Sequence, residues 1–125
     1  MTKLTKNFSR SEFDSKDGAP MPTAQFECIK EVANQLQVIR DHIGRPITVN
    51  SGYRSPKHNK AIGGASNSFH MKGMAADIRV DGMSPKELAA IVTALIIEGK
   101  ITPGGVGLYN TFVHYDIRGK HIRFK

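Results

Sequence analysis

His70 and Asp77 stand seven positions apart in Ser68-Phe69-His70-Met71-Lys72-Gly73-Met74-Ala75-Ala76-Asp77, and a second histidine follows in Phe112-Val113-His114-Tyr115-Asp116. Two imidazoles and one carboxylate make a three-ligand set for a catalytic zinc ion (Zn2+), with a fourth position left for the water that reacts. Taken singly, each residue also has a structural reading, at the surface or in a satisfied polar core. Asp77 resists it most, because it interrupts an apolar stretch and a buried carboxylate needs a partner. Spacing alone does not separate the two readings.

Strand alternation supplies the geometry that would unite these residues. If 75–80 is a strand, Ala75, Asp77 and Arg79 share one face and Ala76, Ile78 and Val80 the other. In the strand expected over 112–118, Phe112, His114 and Asp116 share a face, opposite Val113, Tyr115 and Ile117. Asp77 and His114 then project from one side of a sheet, and His70 reaches in from the loop before it.

The rest of the chain reads as supports for this site. Residues 1–22 form an irregular arm ending in Asp17-Gly18-Ala19-Pro20-Met21-Pro22, with Phe8 and Phe13 pinning it to the body. Phe26, Ile29, Ala33, Leu36 and Ile43 recur at helical spacing from an N-cap at Thr23 to a stop at Gly44-Arg45-Pro46. A strand over 47–50 leads into a long loop, 51–69, of the kind that carries function in compact domains. Ser84-Pro85-Lys86-Glu87 opens a helix running to about Glu98. Three further strands, 105–109, 112–118 and 121–124, are expected to be antiparallel. The fold expected is α+β, a small single domain over 1–125, with an antiparallel sheet, helices packed on one side of it and the metal in a cleft on the sheet.

The 125 residues carry 18 Lys+Arg against 11 Asp+Glu, a formal net charge of +7. That balance favours an anionic partner, such as nucleic acid, a membrane surface or a bacterial wall, although it also serves plain solubility. No nucleic-acid-reading motif accompanies the charge, so no nucleic-acid partner is expected. No apolar run reaches the roughly 18 residues of a membrane span. Met1 to Glu12 holds no apolar signal core, so the expectation is synthesis in the cytoplasm without a signal peptide. The single Cys28 excludes an internal disulfide and reads as a packed thiol. His42 and His121 read as surface residues, His58 as structural, and the basic tail 118–125 as a solvated edge strand or a wall-adhesion element.

The ordered motifs Ser51-Gly52-Tyr53-Arg54-Ser55-Pro56-Lys57-His58-Asn59, Gly63-Gly64-Ala65, Ser68-x-His70-x-x-Gly73-x-Ala75-Ala76-Asp77 and Gly105-x-Gly107-x-Tyr109-x-x-Phe112-Val113-His114-x-Asp116 resemble those of the M15 zinc peptidases. The likeness is strongest to the D-Ala-D-Ala carboxypeptidase-like group, extends to the arm Leu4 to Phe13, and covers nearly the whole chain. It implies zinc held by His70, Asp77 and His114, a catalytic Arg54 near the substrate and the metal-bound water, aimed at the developing oxyanion or at a substrate carboxylate, and Ser51 and Ser68 lining the cleft. It also implies hydrolysis of peptidoglycan stem peptides, either as a D,D-carboxypeptidase or as an endopeptidase cutting L-Ala-D-Glu or a cross-bridge; a monomer is expected. Small size and charge suit a phage endolysin acting at the bacterial wall after release.

One position departs from the pattern. Many relatives carry an acid three residues before the last zinc histidine, where this chain has Thr111. Asp116 is the substitute candidate for the general base, its alternative role being a hydrogen bond to a ligand histidine. The competing hypothesis, favoured by Thr111, is a non-catalytic, zinc-stabilised module that binds wall peptides.

Overall fold

The computed structural model describes residues 2–124. Its centre is a five-stranded sheet of β1 (Thr48–Ser51), β2 (Ala75–Arg79), β3 (Gly105–Leu108), β4 (Val113–Asp116) and β5 (Ile122–Phe124) in the order β1-β2-β4-β3-β5. The expected alternation holds: Ala76, Ile78, Val106, Val113 and Tyr115 enter one core with the apolar faces of helices α1 (Thr23–Ile43) and α3 (Pro85–Ile97). The register sets Asp77 opposite His114 and Ala75 opposite Asp116 on the other face.

The caps explain the helices. In α1 the buried Ile29, Val32, Ala33, Leu36 and Ile39 form one stripe, and Gly44 closes the helix at φ +75°, a conformation that suits glycine. Pro22, rather than Thr23, takes the N-cap position, and no side chain bonds there. Ser84 and Glu87 exchange bonds of 3.1 Å each way in a capping box, with Pro85 in the first turn of α3.

The structure departs from the sequence reading in three further places. The loop expected over 51–69 contains α2 (Pro56–Ala61), whose N-cap Ser55 accepts a bond from the His58 amide. The last strand is parallel to β3, not antiparallel. Both edges of β4 are already taken by β2 and β3, so the reversing chain must pass beyond β3. A strand antiparallel to β4 is there necessarily parallel to its neighbour. Cys28 is half-buried rather than packed in the core.

The N-terminal arm is built into the fold. Phe8 and Phe13 are buried, and a short 3-10 helix spans Arg10–Phe13. The Tyr53 amide donates to the Phe13 carbonyl at 2.8 Å. Asp17 accepts from Ser15 Oγ at 2.6 Å and from Ser55 Oγ at 2.7 Å. The arm therefore braces the segment that carries Arg54 from two sides. No helix among the described residues is long and apolar enough to cross a membrane.

Candidate metal centre

His70, Asp77 and His114 come together on the sheet face opposite the core, with one ligand atom from each lying within 4.8 Å of the others. Asp77 and His114 arrive from paired strands. His70 arrives from the turn before β2, where Gly73 at φ +71° lies against the backbone of Gln25 so closely that a side chain would collide.

The hydrogen bonds behind the imidazoles decide which nitrogens can hold a cation. The Gly52 carbonyl can only accept, so the 2.7 Å bond from His70 Nδ1 puts the proton there and leaves Nε2 as the lone-pair atom. Asp116 is ionised, so the 2.8 Å bond to His114 Nε2 puts that ring's proton on Nε2 and frees Nδ1. The two freed nitrogens face one oxygen, Asp77 Oδ1, at 3.1 Å and 3.2 Å. Lone pairs turned toward a carboxylate oxygen repel it unless the rings take second protons or a cation stands among them. A divalent metal satisfies all three donors, so the residues fit the ion.

Charge balance agrees. Burial works against ionisation of Asp77, but hydrogen bonds from His114 and His70 outweigh it and hold the carboxyl below its usual range. Burial likewise opposes ionisation of Asp116, and is outweighed by bonds from Arg118, His114 and the Gly105 amide. For His114 burial favours the neutral ring, yet its bonds to Asp116 and Asp77 raise its pKa overall.

The other site residues sort by what they touch. Arg54 lines the cavity, and its Nη2 donates to the second oxygen of Asp77 at 3.2 Å. Ser68 also lines the cavity, and its hydroxyl accepts from the His70 amide at 3.1 Å. Ser51 does not line it; its hydroxyl accepts from Arg54 Nε at 3.2 Å. Asp116, fully buried beneath His114, does not line it either. Its oxygens take His114 Nε2, Arg118 Nε and Nη2, and the Gly105 and Arg118 amides. That geometry suits the alternative role of Asp116, a hydrogen bond that holds a candidate ligand histidine. Thr111 is exposed outside the cavity.

The cavity encloses about 540 Å³ and is walled by Phe69, Tyr109, Phe112 and Phe124. Tyr109 and Phe112 stack at 4.6 Å. Burial and the charge of Asp77 raise the pKa of Tyr109, so it remains a phenol. Three participants escaped the sequence reading. Asn59 accepts from Arg54 Nη1 at 3.3 Å, Gly52 orients His70 through its backbone, and Arg118 enters the cavity instead of joining the solvated tail. Only Arg118 left a signal: it continues the alternation of His114 and Asp116.

A family model described as Peptidase M15 matches residues 4–116. A zinc D-Ala-D-Ala carboxypeptidase of Streptomyces albus G is 56% identical over 91 residues, which is 72% of this chain and 34% of that relative. The chain thus spans about a third of the relative's length.

Proposed function

Because the chain belongs to the Peptidase M15 family, we propose that it is a zinc-dependent peptidase that cuts peptides of bacterial peptidoglycan, acting as a D,D-carboxypeptidase. The observation that carries this reading is the pair of imidazoles whose outer protons are claimed by Gly52 and Asp116, so that both lone pairs converge on Asp77. The name of the Streptomyces relative supports the reaction, and the net charge of +7 suits an anionic wall.

Zinc bound here supplies Lewis-acid polarisation of the scissile carbonyl and makes water a better nucleophile near neutral pH. The chain's own groups set the geometry. Asp116 holds His114 in the required tautomer, as Gly52 does for His70. Arg54 fixes Asp77 through its outer oxygen and adds positive charge where an oxyanion would develop. The Ser68 hydroxyl, an acceptor toward His70, keeps its own proton for a substrate carbonyl. The aromatic walls limit water around the reacting bond.

One observation favours a second reading, a wall-peptide-binding module. Asp77, a ligand, is the single carboxylate lining the cavity among the described residues, so no second acid stands ready to shuttle a proton. Purified peptidoglycan incubated with the protein separates the readings. New peptide ends identified by mass spectrometry, lost with chelator and restored by zinc, are expected of the peptidase. Folded, zinc-loaded protein that binds the wall and releases nothing would establish the module.

A further inference from the structure

Two guanidinium groups line the cavity, and they are committed differently. Each nitrogen of Arg54 has a partner: Nε on Ser51 Oγ at 3.2 Å, Nη1 on Asn59 Oδ1 at 3.3 Å and Nη2 on Asp77 Oδ2 at 3.2 Å. Arg118 is held along one edge only, with Nε on Asp116 Oδ1 at 2.8 Å and Nη2 on Asp116 Oδ2 at 2.6 Å. No described residue bonds its Nη1. One ring braces the face of the group, since its Cζ lies 4.3 Å from the centroid of Phe69. Phe124 stands 5.9 Å away.

This is how an anion receptor is built. An arginine presents five N–H donors in a planar fork that matches a carboxylate. Two donors anchor Arg118 to a buried acid, and the remainder belong to a side chain that lines the cavity. Because the group is already held, little rotamer freedom remains to be lost on binding. The low polarity of the aromatic walls strengthens a charge-assisted bond formed there.

Its place relative to the metal ligands limits the anion. Asp116 Oδ2 bonds both His114 Nε2, at 2.8 Å, and Arg118 Nη2, at 2.6 Å, so one oxygen separates the guanidinium from a ligand ring. A peptide residue spans at most about 3.5 Å. A carboxylate near the fork therefore belongs to a residue very close to the bond being cut, as the C-terminal carboxylate does when the last residue is removed.

We infer that Arg118 is the specificity-determining residue that takes the C-terminal carboxylate of the substrate peptide. The assignment rests on the peptidase reading above, and it deepens that reading by making the free terminus the feature recognised.

Two peptides test it, an N-acylated D-Ala-D-Ala with a free C-terminus and the same peptide as its C-terminal amide. The zinc-loaded protein is expected to prefer the acid by about 100-fold in kcat/KM, the loss typical of removing one partner of a buried charge pair. In Arg118→Gln that ratio should fall to within a few-fold of one, chiefly through KM, and Arg118→Lys should restore part of it. Any folding or zinc defect depresses both peptides together and cancels in the ratio. An acid-to-amide ratio unchanged in Arg118→Gln, or a wild-type protein without acid preference, overturns the assignment. If the wild type cuts neither peptide, the peptidase reading fails on this substrate. Equilibrium binding of the fluorescent-labelled acid and amide then tests Arg118 by itself. Acid preference abolished in Arg118→Gln supports the receptor, and preference retained or never present refutes it.

Discussion

Asp77 and Ile78 are consecutive residues of β2, both buried, and they solve opposite problems. Ile78 faces Val113, Val106 and Tyr115 and the stripes of α1 and α3. Asp77 faces His70, His114 and Arg54. On the first face stabilisation scales with apolar area, at about 25 cal/mol per Å², and one well-fitting hydrocarbon can replace another. On the second it depends on each charge keeping a named partner, because a buried ion without one is costly. A slip of one residue in register would exchange the two faces. The core therefore does more than stabilise: by fixing Asp77 opposite His114 it sets the spacing of the metal donors.

The sharpest test of this contrast mutates the two neighbours. Asp77→Ala should abolish stoichiometric zinc binding and turnover. It should also cost the metal-free chain about 3–5 kcal/mol, since Arg54 is left as a half-buried charge without its carboxylate. Ile78→Ala should cost about 2–5 kcal/mol through the cavity it opens, yet still bind one zinc per chain. Urea unfolding with metal analysis reads both. Zinc lost equally from both variants would show that the faces are not separable.

A gentler pair probes the next strand. Asp116→Asn keeps the shape but removes the charge shared by His114 and Arg118, so zinc affinity should fall about 10–100-fold in a competitive chelator titration. Full zinc affinity with no turnover would instead return Asp116 to the role of base. Tyr115→Phe, on the core face, loses the 2.6 Å bond from its hydroxyl to the Thr102 carbonyl. It should cost about 1 kcal/mol and leave zinc affinity unchanged.

What the sequence made legible follows from how local each signal is. Alternation along β2 and β4 sorts Asp77, His114 and Asp116 onto one face without reference to other elements. The Ser84-Pro85 start announces α3, whereas the same Ser-Pro pair at 55–56 opens α2 inside a segment that reads as a loop. With six residues, α2 is too short for any apolar period to support that start. The parallel pairing of β5 depends on which edges of β4 are occupied, a property of the whole sheet. The role of Gly52 is carried by a backbone carbonyl, to which residue type is blind. Arg118 lay within reach of the alternation rule, but the run of basic residues after it made a solvated strand the simpler reading.

The smallest effect concerns the arm, which supports the site face from a distance. Bonds from the Ser15 and Ser55 hydroxyls and the Ala19 amide hold the Asp17 carboxyl down to about 2, from an ordinary 3.8. A carboxyl depressed on folding stabilises the native state above its unfolded pKa, and that contribution fades as pH falls through the folded value. Asp17→Asn should therefore lower the urea midpoint modestly at pH 5–7. The gap from wild type should narrow between about pH 4 and pH 2 and vanish below it. Because Ser55 also caps α2 and follows Arg54 directly, the same variant should loosen this corner of the cavity before it affects the core. Hydrogen exchange at the His58 and Asn59 amides should quicken while that of Ile78 does not. Equal acceleration at all three would mean that the arm stabilises the fold as a whole rather than the segment carrying Arg54.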